Sequence, residues 1–437
     1  MNNKLAPLIE KMQSSFWFVP SFMIVLSFFI AVLTIYIDSN SELILNSSLG
    51  FIYAMDVEAI RSLLGTIAGS MITVTSIAFS ITVVILTLAS SQFGPGLMRN
   101  FMMDKGTQFV LGTFISTFLF CIIIFFAMSF EGELAFEPGI SVLIAIVMTC
   151  SSVCILIFFI HHIAKSIQAE VVIDNVYCEL HNNIEKIFPT VLEEKSVQPD
   201  LLLDNEKNDG FISEVYAPVS GYLQVVDKES LIKLAIKEDC EVKLNFSAGN
   251  FIVAKTVMAT IHSSHQLTDE TIKDEVIKNM LLGACRTPVQ DPEFAVRQLV
   301  EIALRALSPG INDPYTAIAC IDKLCAVLCN LTDKVFPQTN VLSDGKVRLV
   351  CKELTYTDIA TAAFDQIRQD AETNLAVTIR MLDSLYILMP QCLSEEQRNF
   401  VLAQTEMIKT QQDKQSMSDD DRHNLLTRIE KITDYKQ

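Results

Sequence analysis

The chain has 437 residues, half of them hydrophobic, with a mean hydropathy of +0.37 and a formal net charge of −18. A soluble chain of this length is rarely so apolar, so either its core is unusual or part of it sits in lipid. The acidic balance, with no basic cluster to offset it, excludes nucleic acid as a partner, because phosphate binding needs local Lys and Arg.

Apolar residues concentrate before Lys165 and charged ones after it. A helix needs roughly 20 uncharged residues to cross a hydrocarbon core of about 30 Å. Four runs reach that length, at 16–37, 63–91, 109–130 and 140–160. The first is too long for a cleavable signal peptide and has no small-residue cleavage site before Asp38. Lys4 and Lys11 precede the first run, Arg99 and Lys105 lie between the second and third, and Lys165 follows the fourth. The remaining connections are acidic: Asp38, Glu42, Asp56 and Glu58 in one, Glu131, Glu133 and Glu137 in the other. Because cationic loops stay in the cytoplasm, both termini are expected there, with a four-span membrane domain over 1–165 in contact with the lipid bilayer.

The second run differs chemically from the others. Thr66, Ser70, Thr73, Ser76, Ser80, Thr87 and Ser91 recur every three or four residues, apart from a gap at Val84, so they share one helix face. Gly65 and Gly69 form a GxxxG pair beside it. One reading is close helix packing, with hydroxyls bonding across helices or to their own turn. The other is a water-filled path lined by this face and repeated around the axis of a homo-oligomer. No run carries Asp, Glu, Lys or Arg in its interior, which counts against an ion-coupled carrier more than against a passive pore. Gly94-Pro95-Gly96 then breaks the helix, and 97–103 reads as a short amphipathic turn with Arg99 near the headgroups. His161 and His162 close the fourth run. Adjacent residues diverge by about 100° on a helix, so they suit an interfacial anchor better than a shared metal, with pH sensing as the alternative.

After Lys165 the fourth helix is expected to continue over 166–200, ending in the polar break at 198–210. Residues 211–263 are β-rich, with a helix at Lys228–Lys237. Ala217-Pro-Val-Ser-Gly-Tyr-Leu and Gly249-Asn-Phe-Ile-Val resemble the barrel-sandwich modules of biotinyl and lipoyl carriers. The Met-Lys-Met attachment turn is absent, so no cofactor is implied, and a small β-sandwich for structure or assembly is expected. Residues 268–437 read as a helical domain. Its densest stretch, 286–318, holds Arg286, Asp291, Glu301, Arg305, Asn312 and Asp313, with Asp313 able to cap a helix begun by Pro314. These residues make either an internal network of ion pairs and caps or a cytoplasmic ligand or cation site. The eleven cysteines include no CxxC and no zinc-type spacing. Cys320, Cys325 and Cys329 read as small buried residues, and the count suits a reducing cytoplasm. No metal is expected, and without a P-loop, GxGxxG, GxSxG or HExxH there is no reason to expect an enzyme.

Two long motifs, the stretch from Arg61 through SLLGTIAGSMITV to FGPGLMRNF and the stretch GACRTPVQDPEFAVRQLVEIALRALSPGINDPYTAIACIDKL, resemble the bacterial predicted membrane proteins catalogued as domain of unknown function 2254. The resemblance implies a bacterial inner-membrane protein with this four-span plan and brings no activity, ligand or catalytic residue. The family's usual Ser-Pro-Arg is Gly94-Pro95-Gly96 here, with Arg99 as the nearby cation that partly replaces the arginine. The expected fold is therefore four transmembrane helices followed by a cytoplasmic α+β region. The expected function is an oligomeric channel passing small cations, with the cytoplasmic half assembling or gating it. A non-conducting scaffold or sensor, and a carrier for a neutral or lipid-like substrate, are the alternatives.

Overall fold

A chain in lipid must satisfy its backbone polar groups internally, and the helix does this within one segment. The computed structural model describes residues 17–39, 56–97, 101–102, 104–129, 138–189, 211–265, 270–336, 339–343, 345–352 and 354–435. It divides into two units, 1–171 and 172–437. The first holds α1 (Phe18–Ser39), α2 (Val57–Phe93), α3 (Lys105–Ala127) and α4 (Ile140–Ser166).

Helix α3 is the hub of this unit. In its most apolar stretch 56% of residues are buried, against 22% or fewer in the same stretch of the other three. Lipid offers helices no hydrophobic reason to associate, so close packing and interhelical hydrogen bonds must do it. Gly112 supplies the packing: a Cβ there would lie 2.6 Å from Met23 Sδ and 3.2 Å from the Pro20 Cα. One turn on, Ser27 Oγ donates to the Ser116 carbonyl at 2.8 Å. On the side of α4, the Thr117 and Ser152 hydroxyls share a buried hydrogen bond of 3.1 Å. Phe114, Phe120 and Ile124 fill the space between.

The far ends of the helices are tied by charged side chains. Asp38, on the last turn of α1 and 2% exposed, accepts from the Ile140 and Ser141 amides at 2.9 and 3.0 Å and from Ser141 Oγ at 2.6 Å. It thus caps α4 from another helix, and the positive end of α4 stabilises its charge. Arg61 Nη2 donates to the Met128 carbonyl beyond α3 at 2.7 Å.

The next helix, α5, spans Ala169–Ile187, so the expected continuous helix is interrupted at Ile167 and Gln168. Strands β1 (Phe211–Tyr216), β2 (Gly221–Val226), β3 (Cys240–Leu244), β4 (Phe251–Ile252) and β5 (Val257–Ser263) follow, with α6 (Lys228–Lys237) where the sequence places it. The remaining elements are α7 (Glu270–Lys278), β6 (Met280–Gly283), α8 (Pro292–Leu307), α9 (Pro314–Leu331), β7 (Asn340–Ser343), β8 (Lys346–Val350), α10 (Tyr356–Asp370), α11 (Leu375–Leu388), α12 (Glu395–Gln412) and α13 (Asp419–Thr433).

Two expectations are corrected here. Residues 268–437 are not purely helical, and 211–263 is not a self-contained sandwich. A five-stranded sheet runs β1-β5-β3-β8-β7 and a three-stranded sheet runs β4-β2-β6, so β6, β7 and β8 come from the later segment. Val242, Ile261 and Leu349 of the larger sheet share a buried cluster with Leu223, Ile252 and Met280 of the smaller one and with Leu231 and Val276 of α6 and α7. Alternation explains the early strands, as in β3, where Cys240, Val242 and Leu244 face inward. By length and composition five described helices could cross a membrane, one more than the sequence reading; the fifth is α9.

Replacing Asp38 with Ala removes three acceptor contacts, so it should lower the stability of the detergent-solubilised chain by about 1–3 kcal/mol. Asn should recover part of the loss. Thermal unfolding of the two variants beside the native chain checks this.

Candidate functional site: the exposed face of the second membrane helix

Helix α2 has 37 residues, which at 1.5 Å per residue is far longer than the roughly 30 Å of a hydrocarbon core. Its buried side carries Ile60, Leu64, Ile67, Ala68, Met71 and Ala78. Thr66, Ser70, Thr73, Ser76, Ser80, Thr87 and Ser91 are all exposed. A Cβ added at Gly65 or Gly69 would meet nothing within 4 Å. Apart from Ser76, which also borders a recess against α1 and α3, the hydroxyl face is left uncovered by the chain's own described helices.

The hydroxyls are bonded to their own helix. Thr66, Ser70, Thr73, Ser76 and Thr87 each donate to the carbonyl four residues back, at 2.7–2.9 Å, and Ser91 donates to the carbonyl of Leu88 at 2.8 Å. With the proton directed inward, such a hydroxyl turns lone pairs outward. The face thus presents a column of neutral oxygen acceptors. Asp56 and Glu58, both exposed, stand at its N-terminal end.

At the other end α2 stops at Gly94, whose φ of 106° and ψ of 154° suit only glycine. A 3-10 turn follows at Pro95–Leu97, with Phe93 and Leu97 buried. Arg99 lies outside the described residues. The chain then enters α3 through Asp104, whose carboxylate accepts from the Gly106 amide (3.3 Å), the Thr107 amide (2.9 Å), Thr107 Oγ1 (2.6 Å) and His162 Nε2 (2.8 Å). Burial alone would raise the Asp104 pKa, but these hydrogen bonds outweigh it and hold the carboxyl below its ordinary range. Gly106 permits the approach: a Cβ there would lie 2.6 Å from His162 Nε2. His162 also stacks on Phe158, whereas His161 is exposed. The two histidines thus occupy different environments.

The polar residues singled out between 286 and 313 do not form one cluster. Arg286 holds Asp291 through two contacts, Nε–Oδ2 at 2.7 Å and Nη2–Oδ1 at 2.9 Å, and reaches Glu293 at 3.3 Å. Asp291, 3% exposed, also caps α8 through the Phe294 amide at 3.1 Å. Glu301 and Arg305 pair at 3.3 Å further along the same helix. Asn312, with φ of 48°, and Asp313, which caps α9 through Thr316 at 3.2 Å, lie past its other end. Sixteen residues of α8 span about 24 Å, so Arg286–Asp291 and Asn312–Asp313 are at opposite ends. Sequence reasoning missed Gln290, whose side chain accepts from the Val226 amide (2.9 Å) and donates to the Val226 carbonyl (3.1 Å). Gly249, which the sequence places at a turn, has a φ of +91° that lets the chain pass where a Cβ would strike Asp291 Oδ2, a contact no local pattern indicates. A glutamine set between two prolines was the available signal for Gln290. Among the described residues no group of three His, Cys, Asp or Glu is placed to hold a metal. Burial pushes the Cys320 thiol up, as expected of a packing residue.

Several long apolar helices followed by a region mixing sheets and helices define a multi-pass membrane protein with a large second unit of mixed architecture. The chain belongs to the family described as Predicted membrane protein (DUF2254), which it matches over residues 13–386. It is similar to the uncharacterized proteins Mb1321c of Mycobacterium bovis and Rv1290c of Mycobacterium tuberculosis. Each is 27% identical over 447 aligned positions that cover 99% of this chain and 83% of the relative. No solved structure matches the chain.

Three outcomes follow from this geometry. Asp104 has a folded pKa below the unfolded value of about 3.9, so its contribution is present above that value and lost as pH falls through the folded one. Thermal unfolding at a series of acidic pH values should show a shallower acid-side loss for Asp104→Asn than for the native chain. Arg286→Leu strands the buried Asp291 charge and should cost about 3–5 kcal/mol. Glu301→Gln, which breaks a half-exposed pair one turn apart, should change stability by less than about 0.5 kcal/mol in the same assay.

Proposed function

We propose that the protein is an oligomeric channel of the bacterial inner membrane, in which the hydroxyl face of α2 from each copy lines a path for small cations. On this reading α1–α4 are the four spans and both termini are cytoplasmic. Helix α9 stays with the second unit, because Asp322 and Lys323 in its middle are ion-paired to Arg380 and Asp174. The second unit assembles or gates the pore.

The observation that carries the reading is the uncovered row of acceptors. Neutral oxygens with lone pairs outward replace water around a cation but not around an anion. Exposed Asp56 and Glu58, repeated in each copy, would concentrate cations at one entrance. Gly65 and Gly69 leave room beside the stripe for a neighbouring helix to approach.

Single-channel recording of the purified protein in planar bilayers tests this. Discrete conductance is expected, with cation preference several-fold higher in Ser80→Asp, which places a carboxylate on the lining. Cysteines introduced singly at Thr73 and Ser80 should react with water-soluble thiol reagents. Silence from a folded oligomer with unreactive cysteines would sink the pore and favour a scaffold or sensor whose α2 face is packed against a neighbour.

A further inference from the structure

A recess of about 190 Å³ opens on the membrane surface where α1, α2 and α3 meet. Trp17 forms its rim, Thr75, Ser76 and Phe79 one wall, and Leu111 and Ile115 its floor. We propose that this recess seats one acyl chain of an anionic phospholipid from the leaflet on the Lys105 side. The proposal requires the membrane unit alone and is independent of conduction.

The chemistry of the lining selects the guest. The recess contains no charged side chain. Thr75 and Ser76 donate their hydroxyl protons to the carbonyls of Met71 and Ile72, at 2.7 and 2.9 Å, so no free O–H points inward for a polar ligand. An apolar cavity of roughly 150 Å³ already suffices for a benzene-sized guest, and this one is larger. Its rim merges with apolar surface that is open in the single chain: Trp17 is 58% exposed and Phe79 46%. Lipid chains are the apolar molecules present at that surface, and burying each methylene is worth about 0.8 kcal/mol.

The headgroup preference comes from helix register. Helices α1 and α3 run parallel, since Gly112 meets Pro20 and Met23 while Ser116 meets Ser27. Lys105 is exposed, and seven residues before Gly112 it shares that helix's α1-facing side, about 10 Å nearer the end where the chain enters the membrane. Trp17 lies three residues before Pro20, so ring and ammonium flank the level at which headgroups sit. A chain with its end against Ser76 and Phe79 then leaves its phosphate near Lys105.

Trp17 is the single tryptophan of the chain, so its fluorescence reports on this recess without any substitution. The intact protein is reconstituted in vesicles with increasing fractions of dibrominated phosphatidylglycerol or dibrominated phosphatidylcholine, whose bromines quench on contact. Quenching by the phosphatidylglycerol should saturate at a mole fraction about fivefold below that for phosphatidylcholine, the preference one lysine near the surface supplies. Lys105→Gln should remove the difference between headgroups. Ile115→Phe, which fills the floor, should abolish the saturable phase, with unchanged circular dichroism and gel-filtration elution showing that the fold is intact. Quenching that rises in proportion to bulk lipid, alike for both headgroups and unchanged by Ile115→Phe, overturns the proposal. So does a Trp17 that no brominated lipid reaches, because another copy or another part of the chain would then occupy the recess.

Discussion

The membrane unit depends on the close approach of α1 and α3. Lipid removes the hydrophobic drive that would bring two apolar helices together in water. Contact must then come from shape and from hydrogen bonds. Gly112 removes the one Cβ that would hold the backbones apart, and Ser27 adds a bond to a main-chain carbonyl that already has a helical partner. With α3 fixed against α1, its remaining sides are free for α2 and for the Thr117–Ser152 contact with α4. The recess beside Trp17 lies where the same three helices meet.

The same physics gives α2 two unequal sides. Ile60, Leu64, Ile67 and Met71 turn inward, while the seven hydroxyls of the stripe are left outward beside apolar residues such as Ile77 and Val84. A serine or threonine whose proton goes to its own helix costs little in lipid and packs well against another helix. It also serves as a neutral ligand for a cation. Exposure in one chain is common to all these uses, so the surroundings of that face in the assembled protein decide among them.

Much of this was legible in the sequence because the bilayer imposes a length on apolar runs that no other environment does. The four runs before Lys165 appear as helices, and the hydroxyl period placed its members on one open face because a helix of that length has little freedom to do otherwise. Other features were hidden for identifiable reasons. The strands at 280–283 and 340–350 are short and complete sheets begun about 60 and about a hundred residues earlier, so no local pattern announces them. Arg286 through Asp313 looked like a cluster in the one-dimensional chain, but α8 separates its ends. Asp38 read as a loop acid, since nothing nearby in the chain indicates the helix end it caps. His162 gave no sign of Asp104, 58 residues before it.

Asp38 also bears on how the chain is made. Its partners lie 102 and 103 residues later, so the carboxylate enters the membrane long before the amides that will neutralise its isolation have been synthesised. Until α4 arrives, α1 ends in a solvated charge and the packing around α3 lacks one wall. Completion of the unit is therefore a late event in biogenesis, triggered by the last of its helices. The contacts that tie α1 to α4 can form only after the last of the four helices has been made.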